Sequence, residues 1–398
     1  MIYDEGVERE NFDSSGLSTG ELVGTSILNI ESAILSSMKT VFLNYGNRPL
    51  SELDITDFRT EMLMGAEKVQ RDAIQFYRDK QQELVGSVTQ SVTNGFQVGV
   101  LGAKRQLEKG GKGQETSDKE YSLNDSAFAR EALTKAQTSL LQAEAKSIES
   151  AANKMLAGVA LIVTGAFSSR PNISLYEALD EAIIPETADG LTGKVTTDGR
   201  ELSVGNYAEG LTRETSQQAL LAGEGIVAND AGFHYVRISE HQSSCPLCQP
   251  YQGKILIDDV WSNGRADGKH ELLSVAKANG LFHWNCRHTK TIWYPGAYEP
   301  SPSQSYDPKK VAETYRLEQI QRNIERNIRR YKRVAETALT TQKQAAATAK
   351  VAEWQAQART VVRYAQENGY QVFRQSWKEQ AGYSYELYNP YNLQSSSA

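Results

Sequence analysis

The stretch DFRTEMLMGAEKVQRDAIQF (Asp57–Phe76) decides the fold class. Phe58, Met62, Ala66, Val69, Ala73 and Phe76 recur by three and four, the rhythm of an amphipathic helix with one buried face. Asp54 or Asp57 stands where a side chain caps such a helix, and the pattern runs on to about Leu107 as one or two long helices. Glu108–Asn124 (EKGGKGQETSDKEYSLN) then combines three glycines with dense charge and little to bury, which predicts a mobile loop. Helix resumes at Ser126. Ala127 to about Ala157 is rich in Ala, Leu, Glu, Lys and Gln and leads into Met155–Ser169 (MLAGVALIVTGAFSS). That apolar run falls short of the roughly 20 residues a bilayer requires, so a buried helix is expected, with Gly158 and Gly165 permitting close packing. Residues 1–50 are weakly patterned and read as an extended arm with one short helix.

Downstream of Arg170-Pro171 the pattern changes. Between Pro185 and Gly205 glycines and short β-branched runs replace the helical spacing, and Asp198-Gly199 signals a tight turn. Tyr207 to about Gly225 returns to helix, whereas Phe233–Ser239 and Lys254–Ile257 alternate as half-buried strands. This small unit closes near Pro302. Lys309 to about Asn368 reads as one or two long helices, followed by a Tyr-rich end (383–398) expected to order only against a partner. The fold class is therefore mainly α with a small α+β module: a helical N-terminal region, a Cys/His-stapled module and a long helical C-terminal extension. The boundaries are 1–50, 51–185, 186–302 and 303–398. A chain of 398 residues accommodates two or three such units.

Lys+Arg 43 against Asp+Glu 49 gives a net charge of −6, so any nucleic-acid or membrane contact must be local. Three cysteines make no disulfide framework, and the acidic start MIYDEGVEREN lacks the basic-then-apolar order of a signal peptide. A reducing compartment and no membrane anchor are expected.

All three Cys and all five His lie between His234 and His288. Cys245-Pro-Leu-Cys248 is a C-x2-C knuckle, and His283-Trp-Asn-Cys286 repeats the spacing, followed by His288. Two such pairs could present three thiolates and an imidazole to a structural Zn2+, which favours sulfur and nitrogen donors in a tetrahedron. His288 could replace His283, and buried thiols without metal are the alternative. His241 and His270 read as surface or loop histidines. An enzymatic reading finds less support: His270-Glu-Leu-Leu-Ser274 lacks the second histidine of the zinc-protease motif. His283-Trp284-Asn285 leaves a zinc-containing nuclease or other hydrolase as the competing class. No catalytic residue is assigned.

On the last helical stretch, Leu317, Ile320, Ile324, Ile328, Tyr331 and Ala335 form an apolar stripe, and Arg322, Arg326, Arg329, Arg330, Lys332 and Arg333 carry the opposite side. Lys310–Arg333 holds eight basic and three acidic residues, +5 within a chain of −6. Either this is a solvated face or it meets an acidic protein or DNA, without base specificity. The final helix (Thr340–Gln366) either packs on the N-terminal helices or pairs with a second copy.

The string CPLCQPYQGK (Cys245–Lys254), followed by GLFHWNCRH (Gly280–His288), resembles the signature of the tailed-phage minor capsid protein 2 family, related to the Mu-F-like head morphogenesis proteins. Thr197–Arg200, Tyr207, Arg213, Thr215 and Gly225 are similar to the family's approach to that signature, and Gln319–Arg333 to its basic helix. Trp284 stands where relatives usually carry Pro. The resemblance covers about 190–365 and, more loosely, the helical N-terminal half. It implies a structural virion component without catalysis, in the capsid interior or at the portal vertex. Such a component acts in head assembly, DNA packaging or ejection, with portal, capsid or scaffold proteins and packaged DNA as partners, and it resides in host cytoplasm during assembly.

Overall fold

The computed structural model describes residues 19–110, 116, 118–294, 307–373 and 376–379. Most of the expected mobile loop's centre, the boundary near Pro302 and the Tyr-rich end lie outside the described residues, as does the start of the arm. Among the described residues the fold is eight α-helices with two small antiparallel sheets. Where one short helix was expected, helix α1 (Thr19–Tyr45) runs for 27 residues. Val23, Ile27, Ile30, Ile34, Met38 and Phe42 step by three and four and are all buried. Gly20, Gly24 and several β-branched residues lower its intrinsic propensity, and packing of the apolar face makes up the difference.

Helix α2 (Ile55–Lys109) is continuous over 55 residues. Asp54 caps it, its carboxylate accepting from the backbone N–H groups of Thr56 and Asp57. Phe58, Met62, Ala66, Val69 and Ala73 are buried as their spacing predicts, with Tyr77 rather than Phe76 continuing the face. Helix α3 (Ala127–Val163) starts at its Ser126 cap. Met155, Gly158, Val159 and Ile162 bury the inner side of the apolar run. Gly158 packs closely, since a Cβ there would lie 2.2 Å from Ile183 Cδ1. Gly165 instead lies beyond the helix end. Helix α4 (Leu175–Thr187) opens on a Ser174/Glu177 capping box. No described helix is long and apolar enough to cross a membrane.

Strands β1 (Thr192–Val195) and β2 (Glu201–Ser203) form a hairpin turned at Asp198-Gly199, where Gly199 takes a φ of 81° and donates to Thr196 O. Helix α5 (Val204–Asp230) then crosses α2 at backbone contact. A Cβ on Gly99 would lie 2.0 Å from Leu220 O, and one on Gly223 would lie 2.2 Å from Phe96 O. The second sheet has strand order β4-β3-β5: β3 (Tyr235–Ile238) between β4 (Ile255–Ile257) and β5 (Lys290–Trp293), both antiparallel to it. A short helix α6 (Leu273–Ala278) precedes β5. One buried cluster links Phe58, Leu140 and Leu211 of the helices to Val236, Leu256 and Trp261 around this sheet.

Helices α7 (Pro308–Thr337) and α8 (Thr341–Glu367) pack on each other. Leu317 meets Ala365, and Ile324 and Ile328 meet Ala358. The main support of α8 is thus α7, not the N-terminal helices, although Ala347 shares a buried cluster with Ile184 of α4 and with Ala188 just past its end.

Candidate metal centre

The antiparallel pairing of β3 with β5 assembles the Cys/His cluster. Ile238 opposes Lys290, and Ser239 N–H continues the ladder to Thr289 O at 3.0 Å. The chain leaving β3 carries Cys245 and Cys248, and the chain entering β5 carries His283, Cys286 and His288, so both arrive at one end of the sheet. Each two-residue gap closes into a turn: Cys248 N–H donates to Cys245 O at 3.1 Å, and Cys286 N–H to His283 O at 2.9 Å. The second turn needs a positive φ at its third residue, and Asn285 supplies it at 62°.

The five side chains form two overlapping triples, Cys245–Cys248–His283 and Cys248–Cys286–His288, each with its candidate ligand atoms within 4.8 Å of one another. Cys245 Sγ lies 2.9 Å from His283 Nε2, Cys248 Sγ lies 3.5 Å from Cys286 Sγ, and Cys286 Sγ lies 3.4 Å from His288 Nδ1. Cys248 and Cys286 are buried and belong to the main hydrophobic cluster. Their mutual hydrogen bond raises the pKa of Cys248, with burial adding to the rise, and lowers that of Cys286, aided by His288.

The His283 imidazole is held in the tautomer a metal requires. His283 Nδ1 donates to Trp284 O at 2.7 Å, which leaves the Nε2 lone pair facing Cys245. His288 lies between Ser244 Oγ, 3.3 Å from its Nε2, and Cys286 Sγ, 3.4 Å from its Nδ1, so Nδ1 is the nitrogen facing the cysteines. By donor type, three sulfurs with either histidine are what Zn2+ favours, and the described residues gather them as two triples that share Cys248.

His241, read as a surface or loop histidine, lies in the loop after β3 and flanks the cluster. Its ring centre is 4.1 Å from that of His288, and its buried Nε2 has no partner among the described residues. Burial, then the neighbouring His288, pulls its pKa down to about 3, which keeps it neutral. His270 pairs with Asp267 at 2.7 Å and His234 with Ser262 at 3.3 Å, both outside the cluster. Asn285, singled out with His283 for a nuclease reading, accepts from Arg213 at 3.3 Å.

The basic side chains of α7 divide among several environments. Arg333 turns inward: its Nε donates to Glu31 Oε2 at 2.8 Å, with the two side chains 6% and 2% exposed. That buried pair removes it from the outward set expected. Arg330 pairs with exposed Asp189 at 3.3 Å, and Arg322 with Glu318 at 3.4 Å. Arg329 donates to Lys378 O and to Asn206, and exposed Arg326 to Asn323. Lys332 is half-buried.

Compared with known proteins, residues 30–363 match the family described as phage minor capsid protein 2. No curated protein and no solved structure matches the chain. The matched span runs from within α1 nearly to the end of α8 and contains the Cys/His cluster and all the α7 arginines.

Proposed function

The chain belongs to the phage minor capsid protein 2 family, and on that premise we propose that it is a structural protein of the portal vertex or capsid interior. It serves head assembly, DNA packaging or ejection by docking to portal, capsid or scaffold proteins. The observation that carries this reading is the extent of the family match, which takes in the helical body, the Cys/His cluster and α7 together. In this reading Zn2+ held by Cys245, Cys248, Cys286 and one of His283 and His288 staples the loops after β3 and before β5. The ion supplies cross-linking, and the residues supply charge balance and a closed coordination shell. Arg322, Arg326, Arg329, Arg330 and Lys332 form the basic side offered to an acidic protein surface or to packaged DNA, and α8 leaves room for self-association. Co-sedimentation of the purified chain with portal assemblies, and its detection in mature particles, tests the assignment. Absence from particles, together with no portal association, refutes it.

A further inference from the structure

Beside the cluster lies a cleft of about 300 Å3, walled by α1, α5, the loop 284–287 and α7. We infer that this cleft binds a nucleoside phosphate, either as a free nucleotide or as an unpaired unit of a DNA strand. The inference narrows the nucleic-acid contact proposed above for Arg322, Arg326 and Arg329 to a single nucleotide unit, and it requires neither portal docking nor bound metal. Its volume is at the low end for ligand pockets, enough for one nucleotide and too small for a duplex.

Arg322, Arg326 and Arg329 fall at i, i+4 and i+7, so one face of α7 lines the cleft with three arginines, of which Arg322 also pairs with Glu318 and Arg329 with Lys378 O and Asn206. Arg213 of α5 and Arg287 stand on other walls. Six described lining residues are Arg or Lys and two, Glu209 and Glu325, are carboxylates; Arg213 pairs with Glu209, and Arg287 and Arg322 both reach Glu318, at 3.8 and 3.4 Å, so the excess is three positive charges. Planar guanidinium forks suit phosphate oxygens.

The second component is aromatic. Trp284 and Tyr207 stack with ring centres 5.8 Å apart and planes 10° from parallel, and Trp284 remains 38% exposed. The indole rests on Gly210, where a Cβ would come within 2.7 Å of its ring, so the glycine sets its depth. A ring face beside clustered guanidinium groups is the pairing that binds a base and its phosphate together, whereas an acidic peptide uses only the charges.

The test is fluorescence polarisation with the full chain and a fluorescein-labelled ten-residue oligo-dT, competed by dAMP, by duplex DNA of equal length or by a poly-Glu peptide. Trp284→Ala is expected to weaken oligonucleotide binding about tenfold, and Trp284→Phe to retain most of it. Arg322→Gln with Arg326→Gln should weaken it at least about tenfold. Arg71→Gln with Arg78→Gln, exposed on α2, should change it less than about twofold. Circular dichroism and metal content of each variant separate loss of the site from loss of fold, and the arginine pair decides if Trp284→Ala does not fold. Competition by dAMP identifies a free-nucleotide site, and oligonucleotide binding without it identifies a strand site. Three results overturn the inference: no binding by the wild-type chain, equal losses in the α2 control, or displacement by duplex or poly-Glu as effective as by unlabelled oligo-dT.

Discussion

Replacing Glu31 with Leu should loosen the α7–α8 pair from the helical body. The carboxylate takes Arg333 Nε at 2.8 Å with one oxygen and the backbone N–H of Leu191 at 2.7 Å with the other. Both side chains are buried, and Arg333 Nη2 already lacks a partner among the described residues. Losing the carboxylate strands a guanidinium charge and an N–H in a dry setting. Breaking a buried pair from one side costs about 3–5 kcal/mol, a large part of a typical total stability of about 5–15 kcal/mol. Combining Glu31→Leu with Arg333→Met removes both charges and should recover most of the loss, because two apolar side chains replace a pair whose desolvation offsets its attraction. Arg330→Ala provides the contrast: its pair with Asp189 is 43% and 71% exposed and should cost no more than about 0.5 kcal/mol. Urea unfolding followed by circular dichroism gives the stabilities, and hydrogen exchange over 308–367 locates the loosening. Glu31→Leu within about 0.5 kcal/mol of wild type would refute the argument. So would a double variant costing the sum of its singles, since residues in direct contact should couple.

Other expectations follow from separate sites. Elemental analysis should find about one Zn per chain, with Cys248→Ser or a strong chelator lowering stability by several kcal/mol; metal-free protein of unchanged stability would end the staple proposal. Burial pushes the Glu144 carboxyl up to about 7, and its Oε1 has no partner among the described residues. An acid whose folded pKa is raised favours the fold below its unfolded value of 4.5, so stability should fall as pH rises from there to about 7, by on the order of 3 kcal/mol. Glu144→Gln should flatten that slope in urea titrations, and an unaltered slope assigns it elsewhere. Gly99→Ala forces a methyl against Leu220 O and should cost about 1–3 kcal/mol, whereas Gly86→Ala on the same helix, with nothing within 4 Å, should gain about 0.5–1 kcal/mol. Equal thermal shifts for the two alanine variants would contradict the close α2–α5 crossing.

Residue types and spacing carried much of the architecture. The three-and-four rhythm of Phe58 to Ala73, a cap at Asp54 or Asp57, the return of helix at Ser126 and the turn at Asp198-Gly199 all act within a few residues, so local chemistry states them. Helix α1 shows the same rhythm but with glycines and β-branched residues that obscure it. Strand β5 escaped notice because Lys290 occupies a buried position. Its ammonium pairs with Asp258 and sits 4.9 Å from the centre of the Trp261 ring, partners 32 and 29 residues away that no local pattern reveals.

The clips at 245–248 and 283–286 were likewise legible as metal-type spacings, because a two-residue gap by itself turns two side chains the same way. Whether the clips meet depended on β3 pairing with β5, and the placing of His241 beside them on the folded loops. The α7 arginines divide in the same manner. Helical periodicity assigns each an angle around the axis, but which angle faces Glu31, which the cleft and which the exterior was decided by the helices packed around it. A side chain's neighbours in sequence fix its direction, and only the assembled fold supplies the dielectric and the partners that direction meets.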